Sequence, residues 1–263
     1  MPFTFAHPAA ILPAKFIRRK WVSFTALAIG SMTPDFEYFI RMRNLGVYGH
    51  TWAGLLWFDL PVAFILTFIY HGFVRDGLID HLPAMFRKRL NRFKEFNWPA
   101  FVKQNLLTVI ICLMLGIATH IVWDSFTHRT GYFVNKIPWL LKNTDVFGIG
   151  QVRFYILQVV SSSAGLIILF YGLFMLPKDE TLKRKNILLF WTIAALITVS
   201  IVTIRVYTTM HRLPLEQFNN LLTIHFFTHF FNHRSADDFI MTTISAFLIS
   251  LILTPLLVKK SHS

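Results

Sequence analysis

The chain has 263 residues, 54% of them hydrophobic and only 15% charged, where a soluble globular protein has about a quarter of its residues charged. Such a deficit excludes a water-soluble domain. The 26 Lys and Arg against 13 Asp and Glu leave a formal charge of +13, yet no polar stretch is long enough to form the basic surface that a nucleic-acid partner needs, so membrane lipids and not nucleic acid are the expected partners.

The opening MPFTFAHPAAILPAKFIRRK carries its charges after its apolar stretch and lacks a small-residue cleavage site, so it reads as a retained segment and not as a secretory signal. Two apolar stretches follow, 8–20 and 21–34, each short for a bilayer. One solution is a helical hairpin that enters from the outer side, turns at Arg18, Arg19 and Lys20 and returns to Asp35, each arm reaching about 20 Å if α-helical. Snorkelling of the basic side chains or local thinning of the membrane would accommodate it. The alternative is a cytoplasmic N-terminus with one short span at 21–34.

A bilayer-crossing helix takes about 20 mostly apolar residues, and five stretches qualify: roughly 52–74, 104–123, 154–176, 187–206 and 239–258. Between them lie a basic loop at 75–103, a mixed loop at 124–153, a basic turn with Lys183, Arg184 and Lys185, a His-rich loop at 207–238 and a tail with Lys259 and Lys260. Basic and non-basic loops alternate. By the positive-inside rule 75–103, 177–186 and the C-terminus face the cytoplasm, and 124–153 and 207–238 face outward. The expected fold is an all-α polytopic bundle of five spans plus the N-terminal hairpin, read as one integral membrane domain over 1–263. Cys112, the single cysteine, lies in an apolar run, which excludes a disulfide within the chain and suits a small packing residue.

The strongest chemical signal is THIVWDSFTH, in which His120, Asp124 and His128 recur every four residues and line one helical face. Imidazole nitrogen and carboxylate oxygen one turn apart suit zinc or a similar divalent ion. Alone, the pattern equally describes a capping Asp and an interfacial His. The topology adds Asp35 in SMTPDFEYF, His50 in YGHTWAG and, with the hairpin, His7 in TFAHPAA at the same outer level. Ionisable groups converging in an apolar setting are costly unless paired or metal-bound, so the choice is between a metal site and a hydrogen-bonded cluster that pins helices together.

Other polar residues read in more than one way. Asp59 in WFDLPVAF is a neighbour acid to the site, part of a polar path, or a neutral acid bonded to backbone freed by Pro61. Gln158 and Ser161 to Ser163 suit interhelical packing. His225, His229 and His233 in HFFTHFFNH suit an interfacial amphipathic helix better than a zinc site. Tyr48, Trp52, Trp123 and Tyr132 suit an interfacial belt or the surround of a lipid substrate.

The motifs MPFTFAHPAAILP, IGSMTPDFEYF, FDLP, HIVWDSFTH with GYFV, and LQVVSS, in that order, resemble a bacterial group of multi-spanning membrane proteins, domain-of-unknown-function family 4184, over about residues 1–177. More remotely, an N-terminal His, a Pro-Asp pair, a His before a helix and a final HxxxD look like inner-membrane metal-dependent hydrolases similar to zinc-dependent phospholipase C. That resemblance implies a metal site of His7, Asp35, His50, His120 and Asp124 and a hydrolytic reaction. The chain departs from it in having Phe36-Glu37-Tyr38 after the Pro-Asp pair and no HRGxTH motif around His50. Within the reading, Glu37 serves as general base, or Asp124 orients His120, with Asp59 and His128 in supporting positions. The expected protein is a zinc-type hydrolase at the outer face of the bacterial inner membrane. The competing expectations are an ion- or proton-coupled binding or transport protein, whose path would continue toward His71, and a purely structural membrane protein.

Overall fold

The computed structural model describes residues 4–16, 22–179, 181, 186–210 and 233–260. The protein is an all-α integral membrane protein with five helices long and apolar enough to cross a membrane: Trp52–His81, Trp98–Lys136, Arg153–Phe174, Leu188–Thr209 and Ala236–Val258. We name the main elements α1 (Phe24–Met32), α2 (Phe36–Arg41), α3 (Trp52–His81), α4 (Trp98–Thr127), α5 (Arg153–Phe174), α6 (Leu188–Met210) and α7 (His233–Lys260). The described chain falls into two compact units, one of Met1–Phe36, Val47–Phe68 and Phe96–Lys178, the other of Glu37–Gly46, Ile69–Glu95 and Asp179–Ser263.

Both arms of the N-terminal hairpin are helical, but they differ in kind. Thr4–Phe16 is a 3-10 helix containing Pro8 and Pro13. Proline inside an α-helix clashes with the carbonyl four residues back, and the 3-10 form, at about 2.0 Å per residue, stretches this arm beyond the α-helical reach expected for it. The second arm, α1, starts at Ser23, whose hydroxyl accepts from the Ala26 amide at 3.3 Å. The basic cluster Arg18, Arg19 and Lys20 lies outside the described residues.

In the first unit α1 packs directly on α4. The approach depends on two glycines: a Cβ on Gly30 would meet the Leu113 carbonyl, and one on Gly116 would meet the Leu27 carbonyl, the small-residue device of membrane helix pairs. Cys112, buried, receives the Ser23 amide on its Sγ at 3.3 Å, a packing role. The 3-10 arm lies against α1 and α5, and Trp98 Nε1 donates to Thr67 Oγ1 at 3.0 Å in a buried contact.

α4 is longer at both ends than its apolar run. Asn97 accepts from the Ala100 amide, with Pro99 in the first turn, a start that needs no hydrophobicity. At the other end the helix runs on to Thr127, so Asp124 is inside it and not in the mixed loop. That loop is also ordered: a short helix Tyr132–Lys136, a 3-10 turn Pro138–Leu141 and an antiparallel hairpin of β1 (Asn143–Val146) and β2 (Ile149–Val152).

In the second unit α6 packs on α7, and α7 on the Tyr70–His81 part of α3, where Gly77 admits Pro255. Trp191 Nε1 donates to the His81 carbonyl at 2.8 Å, and the His81 ring stacks on Phe190. The expected basic loop is mostly helical, α3 continuing to His81 and a further helix, Ala84–Leu90, following Pro83. His71 faces Arg75 Nη1 through Nδ1 at 2.9 Å. His225 and His229 lie outside the described residues.

Candidate metal centre

Three separate segments of the first unit deliver four side chains to one point. Asp35 closes the 3-10 turn Thr33–Asp35, which Pro34 opens at the end of α1. His50 precedes Thr51, whose hydroxyl caps α3 by accepting from the Gly54 amide at 2.8 Å. Gly49 lets this loop lie on the Asp35 turn, since a Cβ there would meet the Pro34 carbonyl. His120 and Asp124 come from the last two turns of α4.

His50 Nε2 stands 3.3 Å from His120 Nε2, 3.4 Å from Asp35 Oδ1 and 3.4 Å from Asp124 Oδ2. His120 Nε2 is 3.7 Å from Asp35 Oδ1 and 3.3 Å from Asp124 Oδ2. Four ligand atoms of these residues lie within 4.8 Å of one another. Zinc holds its ligands at 2.0–2.1 Å in a tetrahedron, whose edges are then about 3.3–3.4 Å. Four of these five edges are close to that length, and the fifth, His120 to Asp35, is a few tenths of an ångström longer at 3.7 Å. Electron-rich nitrogens and oxygens gathered this closely need a positive charge among them, either protons or a cation.

The surroundings aim these atoms inward. His120 Nδ1 donates to the Ser31 carbonyl near the end of α1 at 2.7 Å. Donation from Nδ1 leaves Nε2 with its lone pair toward the centre, the arrangement found behind metal-bound histidines. Thr4 Oγ1 donates to Asp35 Oδ2 at 2.6 Å, leaving Oδ1 to face the centre. Sequence reading missed both partners. Thr4 and His7 are three residues apart, which in a 3-10 helix places them on one face, but only a reader who foresaw that helix could use the spacing.

His7 does not join the group of four. Its ring stacks on His120, centroids 3.8 Å apart, and its Nε2 is 3.6 Å from Asp124 Oδ1. Neither His7 ring nitrogen and neither Asp124 oxygen has a hydrogen-bond partner among the described residues, although both side chains are buried. His128 Nδ1 lies 3.4 Å from Asp124 Oδ2, and its Nε2 faces Gln158 Nε2 at 3.4 Å. The buried Asp59 side chain belongs to the π-turn Leu55–Asp59, and its Oδ1 lies 3.2 Å from where a Gly49 Cβ would be; it borders the His50 loop. Glu37 belongs to the second unit and is paired with Arg41, at 2.9 Å to Nε and 2.8 Å to Nη2.

The electrostatics follow. For His50 burial favours the neutral ring, but the Asp124 and Asp35 carboxylates outweigh it and raise its pKa to about 10. Burial alone would raise the Asp35 carboxyl, yet the His120 and His50 imidazoles hold it below its ordinary range. Burial, reinforced by His120, lowers His7 to about 4 and keeps it neutral. The two carboxylates thus hold a positive charge on His50 between them, with a neutral imidazole, His7, on the flank.

Neither a curated protein nor a solved structure matches the chain. A family model does, and it extends past the motifs that carried the resemblance at 1–177 into α7. Matching residues 1–256, it assigns the chain to the family described as Domain of unknown function (DUF4184), to which this protein belongs.

Proposed function

We propose that the protein is a metal-dependent hydrolase of the membrane-water interface, with one divalent ion, zinc by ligand chemistry, held by Asp35, His50, His120 and Asp124. The observation that carries this reading is the near-tetrahedral spacing of those residues' ligand atoms, backed by hydrogen-bonded partners on Asp35 and His120. Such an ion lowers the pKa of a bound water and polarises a phosphoryl or acyl oxygen.

The residues of the chain divide the remaining work. Thr4 and the Ser31 carbonyl fix Asp35 and His120, and His7 covers the His120 ring and excludes water from that side. Substrate approaches between His50 and His128, whose side chains are 27% and 30% exposed while Asp35, His120 and Asp124 are buried. Asp124 is the site's own acid, one oxygen toward the ion and the other toward His7. Glu37, engaged by Arg41, is not required as a base. Exposed Trp52 and Trp57 beside the entrance loop suit an amphipathic substrate, so the substrate class is a lipid or lipid-linked phosphate or ester. The Lys and Arg distribution supports a cytoplasmic C-terminus and an outward-facing site in a bacterial inner membrane.

Metal analysis of detergent-purified protein tests the reading. The wild type retains one equivalent of zinc or manganese and His120→Ala loses it; equal metal in both ends the proposal. Cleavage of phospholipid or lipid-phosphate substrates that depends on that metal then tests the chemistry. Retention of the ion without turnover assigns the site to binding or transport.

A further inference from the structure

The segment joining α4 to α5 exposes apolar surface that none of the crossing helices contains. Both of its ends are tied to crossing helices, and β2 runs into α5 without a linker, Val152 being followed by Arg153. Within it Tyr132, Trp139, Leu141 and Ile149 are exposed, and Phe147, at the hairpin tip, is 100% exposed. The two turn residues, Phe147 with φ 55° and Gly148 with φ 81°, are left-handed. Two-residue hairpin turns of this kind favour Asn-Gly or Asp-Gly, and a bulky residue at positive φ is disfavoured. The hairpin gains nothing from a phenylalanine here. A strained backbone carrying a fully exposed ring needs an apolar partner to account for it.

Charge identifies that partner. Between His128 and Arg153 stand Arg129, Lys136, Lys142 and Arg153, against a single acid, Asp145, whose Oδ1 is occupied by the Gly148 amide at 2.8 Å. The Arg153 guanidinium lies 4.5 Å from the Trp139 ring centroid, and its Nε donates to Thr144 Oγ1 at 2.7 Å. Tryptophan with Arg and Lys at the mouth of a membrane helix is the composition of the headgroup layer, and cations there attract anionic lipid. We propose that the hairpin Asn143–Val152 is an interfacial anchor, with Phe147 and Ile149 seated at the headgroup-acyl boundary of the bilayer that α4 and α5 cross, and Lys142 and Arg153 set toward anionic phospholipid headgroups. The inference is independent of the metal reading.

Spin labels test it on the full chain, reconstituted in vesicles of mixed phosphatidylethanolamine and phosphatidylglycerol. Cys112 is buried and stays in place. A label on Phe147→Cys should collide with dissolved oxygen more than with a water-soluble nickel chelate, as a reference on the lipid-facing, 70% exposed Leu107→Cys does. A label on the exposed Glu95→Cys supplies the aqueous reference. A 147 label as open to the chelate as the 95 label places the tip in water and overturns the anchor; a 147 label closed to both reagents overturns it in favour of a protein contact. With its side chain fully exposed, Phe147 can be replaced without loss of packing, and native gel-filtration behaviour of the labelled protein checks this.

Discussion

His120 makes three different contacts from one ring: Nδ1 to the Ser31 carbonyl, Nε2 to the other candidate ligands, and its face to His7. A side chain fixed this way can serve as a ligand without first being ordered. Thr4 does the same for Asp35 through one hydroxyl. Loss of a partner behind a ligand typically costs 10–100-fold in metal affinity, so Thr4→Val should weaken zinc binding by about that factor and Thr4→Ser should restore it, read by chelator competition. Binding should also depend on pH in a defined direction. With its pKa raised to about 10, His50 is protonated in the metal-free site at neutral pH, and the ion must displace that proton. Apparent affinity should therefore rise with pH, about tenfold per unit for one proton released, up to the region of that pKa, and fall on acidification. The same chelator competition measured across pH checks the slope.

At the scale of elements, the centre depends on how closely α1 approaches α4. Gly30 and Gly116 set that distance, and the Ser31 to His120 contact spans the same interface. Gly116→Val should force the helices apart, destabilising the protein by about 1–3 kcal/mol as overpacked sites do and loosening metal retention together with stability in thermal unfolding. Gly49→Ala is a narrower change, pressing on the Pro34 carbonyl and the Asp59 carboxylate. It should lower metal retention with a smaller effect on unfolding temperature, since the His50 loop moves and the helix pair does not.

For the whole molecule, five crossing helices and the alternation of basic loops define an orientation that can be measured directly. In intact cells an impermeant maleimide should label Thr130→Cys, on the segment after α4, and leave Glu95→Cys unlabelled until the membrane is opened; the reverse pattern would invert the topology. Most of the fold was legible at this scale. The apolar runs named all five crossing helices because partition into a bilayer is a property of each run by itself. Their ends were read less well: α4 begins at an Asn-Trp-Pro cap and α3 ends before Pro83, signals that hydropathy ignores. The hairpin 143–152 escaped because its strands are four residues long and Phe-Gly replaces the usual turn pair.

The candidate site divides along the same line. His120 and Asp124 were legible because the helical repeat alone puts them on one face, and Asp35 and His50 because their helices end at one level; His128, expected on the same helical face, instead follows the end of the helix with an extended backbone. By sequence alone, then, the protein is a five-span membrane protein in which Asp35, His50, His120 and Asp124 are expected at one end. Only the tertiary structure decided that four of them approach within ligand distance, that His7 stacks beside them, and that Thr4 and a backbone carbonyl hold them in place. The reason is physical: solvent partition and helical period act along the chain, whereas a coordination geometry is fixed to tenths of an ångström by packing between segments remote in sequence, here by the absence of two side chains at Gly30 and Gly116.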